Sequence, residues 1–287
     1  MKQTVLILGS SGLTGHQVYN YLKKNCDFNL LNISSTKKLN DQTILLDARE
    51  EVKFLDCIKK AKPQFIVNFI GVLISRSSND PESAIFLNAY FPHRLARLAD
   101  EIGAKLIHIS TDCVFSGKKT TPYVETDLKD GNDVYAKTKS LGEVMGSRHL
   151  TIRTSVVGPE IYHSGEGLFD WFMHQSGVID GWTKTIWSGV STIELAKSVK
   201  WFIENNTTGL YHLTNGDSIS KYKLVELFMK HTKKDIKIKK VDGIISDKSF
   251  IDTRKEIDYK LPGYDQMIGE MVESATLNKI LYKNYHL

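Results

Sequence analysis

Two residues four positions apart could carry out proton chemistry in this chain. Tyr135 and Lys139 lie within the segment DVYAKTKSLGE, which has the pattern of a polar helix. Residues four apart share one face of a helix, so a lysine ammonium there can favour the ionised form of the tyrosine phenol and bring its pKa, ordinarily about 10, closer to neutrality. A tyrosine tuned in this way can donate a proton to a forming alkoxide or take one from an alcohol.

The spacing alone does not identify the proton donor, because it occurs twice. Tyr19 and Lys23 repeat it in the first predicted helix, where we interpret the pair as surface residues. The second pair has a partner that the first lacks. Thr111 falls at the carboxyl end of the fifth predicted strand, in LIHISTDCVFSG, where ligands of open α/β sheets bind. Thr111 can therefore hydrogen-bond the same carbonyl oxygen that Tyr135 protonates.

The elements that must position these residues alternate between strand and helix patterns along residues 1–155. That alternation predicts βαβ units and an α/β fold with a doubly wound parallel sheet. The order becomes irregular from residue 156, which predicts a smaller C-terminal substrate lobe over 156–287, interleaved with returns to the sheet near 187–215. The six predicted strands of the first part are 5–9, 28–34, 44–46, 65–71, 106–111 and 150–156.

Further helices can be read from their capping signals. After the fourth strand, Asp80 is the expected N-cap, Pro81 suits the first turn, and Gly103 ends the helix. Pro92 falls inside this helix and is expected to kink it. Two amphipathic helices are predicted over 192–206 and 218–234, with a strand at 209–215 between them.

Composition argues against several classes of protein. A chain of 287 residues, 41% of them hydrophobic and only 6 of them proline, can build a folded core. Its longest apolar runs fall short of the roughly 20 residues that span a bilayer, and its N-terminus lacks a signal-peptide pattern, so we expect no membrane partner and a cytoplasmic protein. The net charge of +5 is mild and the lysines are scattered, so we expect no nucleic-acid partner.

The cysteines and histidines suggest no cross-link and no metal. The 3 cysteines are not clustered, so reduced thiols are expected rather than a disulfide framework or a zinc site. The 9 histidines show no ligand spacing, so no metal is expected. The sequence leaves open whether the protein is a monomer or a homodimer.

A glycine-rich loop joins the first predicted strand to the first helix. Gly9, Gly12 and Gly15 stand three residues apart there, directly after VLIL. Glycines allow a tight turn and a close backbone approach, and the helix N-terminus offers free N–H groups and a positive dipole end to a pyrophosphate. A flexible turn is the alternative, but this is the junction at which a dinucleotide-binding loop is required.

The end of the second strand bears on which dinucleotide binds. An NAD-preferring site usually places Asp or Glu there to accept hydrogen bonds from the adenosine ribose, and this chain has neither. Ser34, Ser35 and Lys37 follow instead, and their hydroxyls and cation suit a 2′-phosphate, so NADP(H) is favoured over NAD(H). A solvated polar loop is the alternative. Asp47, just after ILL, is a candidate acceptor for the adenine amino group.

Taken in order, the motifs resemble those of the extended short-chain dehydrogenase/reductases, whose cofactor domain is a Rossmann fold, and most closely the dTDP-4-dehydrorhamnose reductase group. The segment WSGVSTIELAKSV at 187–199 extends the resemblance into the second half, and the C-terminal end of the chain matches loosely. The motifs that follow the glycine loop are VNFIG, LNAYFPHRLA, ISTDCVFSG, PYVETD, YAKTK and RTSVVGP.

The resemblance implies an NADP-dependent reductase that acts on the keto group of a nucleotide-diphosphate sugar. Thr111, Tyr135 and Lys139 match the family's catalytic triad, with Tyr135 as the acid and Lys139 also holding the nicotinamide ribose. Asp112 matches a substrate-contacting position, and Asn88 a helix position that supports the site. The implied cofactor contacts are Ser11, Gly12 and Leu13 to the pyrophosphate, Asp47 and Ala48 to the adenine, and Phe69, Ile70 and Gly71 along the fourth strand.

Two departures from the family's motifs concern the substrate. Related sugar-nucleotide 4,6-dehydratases have Asp-Glu after the threonine, whereas this chain has Asp112 and Cys113, so dehydratase chemistry is disfavoured. The rhamnose-forming enzymes resemble RTSWVY where this chain has RTSVVG, so Val156 replaces a substrate-stacking tryptophan and the sugar need not be 4-dehydrorhamnose. Thr111, Asp112, Cys113 and Val156 are accordingly the candidate substrate contacts.

Two other functions stay open. A nucleotide-sugar epimerase would keep the fold and retain NAD tightly, and the missing acidic residue after the second strand argues against it. A non-catalytic regulatory subunit that binds NADP and a partner enzyme is the other alternative. The intact set of Thr111, Tyr135 and Lys139 argues against that one.

Overall fold

The structure is a computed structural model that describes residues 2–146, 148–162 and 166–286. In chain order its strands are β1 (Thr4–Leu8), β2 (Asn29–Ser34), β3 (Ile44–Leu45), β4 (Phe65–Asn68), β5 (Lys105–Ser110), β6 (Leu150–Arg153), β7 (Val156–Val157), β8 (Gly177–Trp182), β9 (Thr185–Trp187), β10 (Val190–Ser191), β11 (Gly209–His212), β12 (Ile219–Ser220), β13 (Ile236–Val241) and β14 (Ser246–Asp247). Its α-helices are α1 (Gly15–Asn25), α2 (Glu51–Ala61), α3 (Ile74–Asn79), α4 (Pro81–Ala84), α5 (Phe91–Ile102), α6 (Val134–Leu141), α7 (Leu168–Met173), α8 (Thr192–Glu204), α9 (Lys221–Thr232) and α10 (Tyr264–Leu277).

Seven of these strands form one parallel sheet in the order β11-β6-β5-β4-β1-β2-β3. The strand order reverses at β1, which pairs with β2 on one side and with β4 on the other. In such a sheet the ligand site lies outside the carboxyl ends of the strands at the reversal. The predicted α/β fold with a doubly wound parallel sheet is confirmed.

Helices cover both faces of the sheet, because its central strands are apolar on both sides. In β1, Val5 and Ile7 belong to the larger core, which packs against α1, α8 and α10. Leu6 and Leu8 belong to a second core beneath α2 and α5. The alternation of side chains along a strand therefore sends neighbouring residues of VLIL into different layers.

The helix predicted after the fourth strand is split by a π-helical turn, Ile85–Tyr90. Its capping residues were predicted correctly, since Asp80 accepts a hydrogen bond from the Ser83 N–H at 3.0 Å and Gly103 takes a left-handed φ of 73°. The turn follows from Pro92, which has no N–H to donate to the carbonyl of the residue four before it. The Phe91 N–H bonds five residues back instead. A π turn therefore ends directly before Pro92, at the place where the sequence predicts a kink.

The second half of the chain contributes β11 to the edge of the main sheet, beside β6. Its other strands pair in small sets away from that sheet: β13 with β8, β10 with β7, and β9 with both β12 and β14. Ser191 and Ser220 cap the N-termini of α8 and α9 with their hydroxyls. Across the described ranges, no helix is both long enough and apolar enough to cross a lipid bilayer.

Candidate active site

The glycine loop packs directly against the end of β4. Gly9 has a φ of 77°, and a Cβ there would lie 3.1 Å from the carbonyl carbon of Phe69. A Cβ on Gly15 would lie 2.2 Å from the Gly9 carbonyl oxygen, a distance that no side chain tolerates. Only glycine fits these two positions, so the first turn of α1 stays close to the strand ends.

The loop also leaves donors for an anion. Gly12 donates its N–H to the Gly9 carbonyl at 3.1 Å, whereas the N–H groups of Ser11 and Leu13 donate to no backbone carbonyl of the described chain. Free N–H groups at a helix N-terminus, with the positive end of the helix dipole, are the features that bind a pyrophosphate. The cradle and its donors therefore fit a dinucleotide.

The end of β2 lies beside this loop. The hydroxyls of Ser34 and Ser11 are in hydrogen-bond contact, and the side chains of Ser35 and Lys37 are exposed. The Lys37 ammonium lies 3.8 Å from the centre of the Tyr162 ring, a cation–π contact. Sequence reasoning missed Tyr162, because nothing in its neighbourhood along the chain points to a residue so distant in sequence.

A buried donor lies beneath the same end of β2. The side-chain carbonyl of Asn32 accepts a hydrogen bond from the Ser10 hydroxyl at 2.9 Å. Its amide nitrogen has no hydrogen-bond partner within the described part of the chain, although it is buried. Native proteins seldom leave such a donor unsatisfied, and functional sites are one reason for the exception.

Asp47 and Ala48 follow β3, at the same edge of the sheet. Both oxygens of the Asp47 carboxylate accept hydrogen bonds from Arg49, at 3.1 Å and 2.6 Å. The hydrogen bond from Arg49 holds the pKa of Asp47 below its usual value, so the carboxylate stays ionised. Ala48 is buried and carries no polar side chain. Arg49 is a neighbour of the proposed adenine contact that sequence reasoning did not single out.

Helix α6 carries the tyrosine and lysine pair. The Asp133 carboxylate caps its N-terminus by accepting the Ala136 N–H at 2.7 Å. One turn apart on this helix, Tyr135 is half-buried and Lys139 is buried. The Lys139 ammonium donates to the Ile109 carbonyl of β5 at 2.7 Å. Burial lowers the pKa of Lys139 to about 8, and the charge of Glu143 opposes that shift.

The pKa of the Tyr135 phenol differs from the expected one. Burial raises its pKa above the ordinary value, and the nearby Cys113 and Asp112 raise it further, while a hydrogen bond with the Thr111 hydroxyl lowers it. The expected shift towards neutrality was wrong for this arrangement, because burial outweighs the stabilisation of the phenolate. At neutral pH the phenol therefore keeps its proton.

Thr111 follows β5 immediately, at the carboxyl end of that strand. Its hydroxyl donates to the Asp112 carboxylate at 3.1 Å and accepts the Cys113 N–H at 3.1 Å. The Thr111 hydroxyl lies near enough to the Tyr135 phenol to lower its pKa, so the two hydroxyls face each other across the gap between β5 and α6. Thr111 thus lies beside the pair formed by Tyr135 and Lys139, although it is distant from them in sequence.

The three candidate substrate contacts beyond Thr111 differ in character. Asp112 is buried, and burial raises the pKa of its carboxyl group. Burial also raises the pKa of the Cys113 thiol to about 12, so this thiol is neutral at physiological pH. Val156 opens β7 and is partly exposed, and the preceding Ser155 accepts a hydrogen bond from the Trp187 indole at 2.8 Å. A tryptophan from another strand therefore lies next to the position where the family's tryptophan is replaced.

Asn88 joins two of these elements. Its amide group accepts the Val72 N–H at 2.8 Å and donates to the Val72 carbonyl at 2.9 Å and to the Thr138 hydroxyl at 3.3 Å. Gly71 and Gly142 approach it so closely that a Cβ would lie 3.0 Å from the Asn88 side chain and 1.8 Å from its carbonyl oxygen, respectively. Asn88 therefore ties the segment after β4 to helix α6.

Replacing Asn88 with alanine is expected to lower the free energy of unfolding by about 1–3 kcal/mol, because the buried Val72 N–H and C=O lose their partner. Urea denaturation measures the change. Asn205→Ala is the matched control, because Asn205 is exposed and its amide bonds one carbonyl at the end of α8. If the two variants are equally stable, Asn88 does not have this role.

The repeated pair in α1 differs from its interpretation as surface residues. Tyr19 is 1% exposed and belongs to the larger core, with the Lys23 ammonium 6.0 Å from its ring centre. Helix α1 packs this face against α8 and the sheet, because the first helix of a doubly wound fold is covered on one side. The pair is structural, and only Lys23 lies at the surface.

An ionic cluster beneath α6 was also missed. Glu143 accepts hydrogen bonds from Ser110, Arg153 and Lys129, and its side chain is completely buried. A signal was available, because Glu143 follows Lys139 by four residues as Lys139 follows Tyr135.

Proteins with similar sequences are known from bacteria and animals. A dTDP-4-dehydrorhamnose reductase of Shigella flexneri is 33% identical over 158 residues, which cover 53% of this chain and 51% of that protein. The chain thus spans about half the length of the reductases it matches. The methionine adenosyltransferase 2 subunit beta of Bos taurus is 27% identical over 249 residues, covering 77% of this chain and 69% of the subunit.

Solved structures share the fold. A dTDP-4-dehydrorhamnose reductase from Bacillus anthracis str. Ames, solved in complex with NADP, superposes with a TM-score of 0.81 at 18% identity and covers 95% of this chain and 99% of its own. The family model described as the RmlD substrate binding domain matches residues 1–256. The chain therefore belongs to the RmlD substrate binding domain family, a group within the extended short-chain dehydrogenase/reductases.

Proposed function

We propose that the protein is an NADPH-dependent reductase of the keto group of a nucleotide-activated 4-keto-6-deoxy sugar, acting in the synthesis of polysaccharide precursors of the bacterial type. One observation carries the proposal. Thr111, Tyr135 and Lys139 meet at the carboxyl end of β5, and the glycine loop contacts the end of β4, the adjacent strand. A proton donor and a dinucleotide cradle then lie at the carboxyl ends of neighbouring strands.

The cofactor has a set of residues that suit it. The N–H groups of Ser11 and Leu13, in the loop of Gly9, Gly12 and Gly15, would hold the pyrophosphate. Phe69, Ile70 and Gly71 would border the dinucleotide along the end of β4, with Asp47 and Ala48 at the adenine and Ser34, Ser35 and Lys37 at a 2′-phosphate. Bound NADPH would supply the hydride that reduces the carbonyl carbon.

The chain's own residues would orient the carbonyl and supply the proton. Because burial raises its pKa, the Tyr135 phenol carries its proton at neutral pH, and it would give this proton to the carbonyl oxygen as negative charge develops there. The Thr111 hydroxyl, which donates to Asp112, would turn to that oxygen and hold it beside the phenol. Lys139 in its cationic form would stabilise the phenolate that remains and hold the nicotinamide ribose.

The substrate pocket favours reduction over water elimination. Elimination needs a second acid and base next to the threonine, and Cys113 cannot supply them because its thiol stays neutral up to a pKa of about 12. The place of the family's stacking tryptophan is taken by Val156, with Trp187 close to it. The sugar need not therefore be 4-dehydrorhamnose.

Replacing Lys37 with alanine is expected to weaken NADPH binding by roughly tenfold and to leave NADH binding unchanged, since one charge-assisted bond to the 2′-phosphate would be lost. Fluorescence titration with each cofactor measures the dissociation constants. Lys24→Ala is the control, because Lys24 is an exposed lysine at the end of α1. Equal losses for NADPH and NADH would contradict this role for Lys37.

Mixing the protein and NADPH with a panel of nucleotide-linked 4-keto-6-deoxy sugars tests the function. Oxidation of NADPH followed at 340 nm is a standard readout, and product analysis identifies the new alcohol. Consumption of NADPH with one sugar supports a reductase, while interconversion of two sugars without net oxidation supports an epimerase. If no keto sugar is turned over and the protein copurifies with a second enzyme, the regulatory alternative replaces the proposal.

The oligomeric state stays a prediction, and a homodimer is one outcome. Sedimentation of the purified protein, with and without NADPH, would distinguish a homodimer from a monomer.

A further inference from the structure

We propose that Glu143 is a positioning residue of this reaction, which ties the end of β5 to the catalytic helix α6 and places a negative charge near Lys139. The inference rests on the proposed function, and it concerns a residue that neither binds the cofactor nor touches the substrate. Glu143 is the second residue after the end of α6, and its side chain is completely buried.

The first argument is the geometry of the carboxylate. One oxygen accepts the Ser110 hydroxyl at 2.8 Å and the Arg153 Nε at 2.6 Å. The other accepts the Arg153 Nη2 at 2.8 Å and the Lys129 ammonium at 3.0 Å. Four donors on two oxygens saturate the carboxylate, so the side chain has a single arrangement available to it.

The second argument is that these donors are connected to both parts of the catalytic site. Ser110 directly precedes Thr111, so its bond to Glu143 fixes the end of the strand that orients the carbonyl. Lys129 also donates to the Ser140 carbonyl at 3.0 Å, within α6, and thereby holds the last turn of the catalytic helix. A carboxylate that bonds both sides sets the separation of Thr111 and Tyr135, on which the proton transfer depends.

The third argument is that the cluster is rigid around Glu143. Arg153 extends it by donating to the Glu125 carbonyl at 3.1 Å and to the His212 ring nitrogen Nε2 at 3.1 Å. Arginine has no acceptor, so His212 is neutral at Nε2 and carries its proton on Nδ1, which donates to the Ile251 carbonyl at 3.0 Å. Burial also lowers the pKa of His212 to about 4, so this arrangement persists across the neutral range.

Burial lowers the pKa of Lys139, and the charges that face it oppose or add to that shift. Its own helix contributes Tyr135 and the carboxylate of Glu143 beyond the helix end, and β5 contributes His108, whose pKa burial and Lys139 hold well below the usual value, so it is neutral. Arg153 of β6 and Lys129 are cations, but both are paired to Glu143. Glu143 is thus the negative charge that keeps the pKa of Lys139 as high as about 8.

The carboxylate itself is ionised in the neutral range. Burial alone would raise the pKa of Glu143, but the hydrogen bonds and charge of Arg153, with the charge of Lys129, outweigh burial and hold the pKa below its usual value. Lys139 is a cation below its pKa and loses that charge above it, and the proposed reaction requires the cation. Activity should therefore decline as the pH rises through about 8.

Glu143→Gln is expected to move that alkaline decline to lower pH by ~1 unit and to lower kcat, because the charge is gone while the shape is kept. Lys129→Met should move the decline to higher pH, because Lys129 no longer neutralises part of the negative charge that Glu143 presents to Lys139. Ser110→Ala should lower kcat by about 10–100-fold without moving the decline. This variant loses the hydrogen bond that holds the end of β5 and keeps the negative charge of Glu143. Opposite shifts from two variants cannot come from loss of folded protein.

Glu194→Gln is the matched control. Glu194 is a buried carboxylate in α8 that pairs with Lys197 at 3.1 Å, away from the cluster. Its removal should lower stability and leave the pH profile unchanged. A wild-type profile and kcat in Glu143→Gln, or a uniform loss in proportion to unfolded protein in all three test variants, would overturn the proposal.

A measurement without turnover separates this proposal from the proposed function. In protein labelled with ¹⁵N-lysine, NMR titration of the Lys139 ammonium, assigned with Lys139→Met, should give a midpoint near 8 in the wild-type chain and a lower one in Glu143→Gln. If no sugar is reduced but these midpoints shift as expected, the proposed function fails while the electrostatic role of Glu143 stands. If a sugar is reduced and the midpoints coincide, Glu143 does not have this role.

Discussion

Tyr135→Phe is expected to lower kcat by roughly 10²–10⁴-fold, the contribution of a general acid to proton transfer. The phenol is the group at the carboxyl end of β5 whose raised pKa keeps a proton ready at neutral pH, and Thr111 hydrogen-bonds to it. Phenylalanine keeps the ring that packs between the two elements and removes only the hydroxyl. NADPH binding should be unchanged, so kcat falls while the dissociation constant for NADPH, measured by fluorescence, stays the same.

The chain contains its own control for this variant. Tyr19→Phe removes a hydroxyl at the other tyrosine that has a lysine four residues later, and Tyr19 lies in the core next to α8. No hydrogen bond to its hydroxyl is found within the described residues, so activity and stability should both be retained. A similar kcat for Tyr135→Phe and Tyr19→Phe would show that the phenol of Tyr135 is not the acid.

The second large effect is expected for Gly15→Ala. The new Cβ would lie 2.2 Å from the Gly9 carbonyl oxygen and 2.9 Å from its carbon, and these backbone atoms are held by the bonds of Gly9 and Ser10 to the Ile33 carbonyl. The loop must open to relieve the overlap, at a cost of about 1–3 kcal/mol in unfolding free energy. NADPH affinity should fall by roughly tenfold or more, because the donors no longer converge on one anion.

Urea denaturation and fluorescence titration with NADPH measure these two losses. Gly146→Ala is the matched control, since a Cβ there meets no atom within 4 Å and the residue does not have a positive φ. It should retain both stability and affinity. Unchanged NADPH binding in Gly15→Ala would argue against the glycine loop as the pyrophosphate site.

The sequence predicted the architecture because local patterns carry it. Apolar runs such as VLIL, the caps Asp80 and Ser220, and Gly103 at a helix end each act over a few residues, so their meaning survives without tertiary context. The position of Thr111 after β5 follows from the same patterns, since parallel strands present their carboxyl ends at one edge. The three proposed catalytic residues were thus found before any contact was known.

The patterns failed where a distant element changed the outcome. Pro92 was expected to kink a helix, and the structure has a π turn directly before it, in which the Asn88 amide accepts the Val72 N–H. The sequence did not predict that turn. Tyr19 was assigned to the surface because helical spacing does not tell which face is covered, and α8 covers it. The cation–π contact between Lys37 and Tyr162 was not predicted, because it joins residues that only the fold brings together.

By itself the sequence determined the α/β class, the glycine cradle and the family, because each depends on residue types at short spacing. Tertiary structure alone decided the protonation states. Burial reversed the expected pKa shift of Tyr135, and burial opposed by the charge of Glu143 left the pKa of Lys139 near 8. Arg153 and Lys129, which the fold brings in from separate segments, hold that carboxylate in place. Desolvation and charge depend on distances in space, and a linear sequence does not contain them.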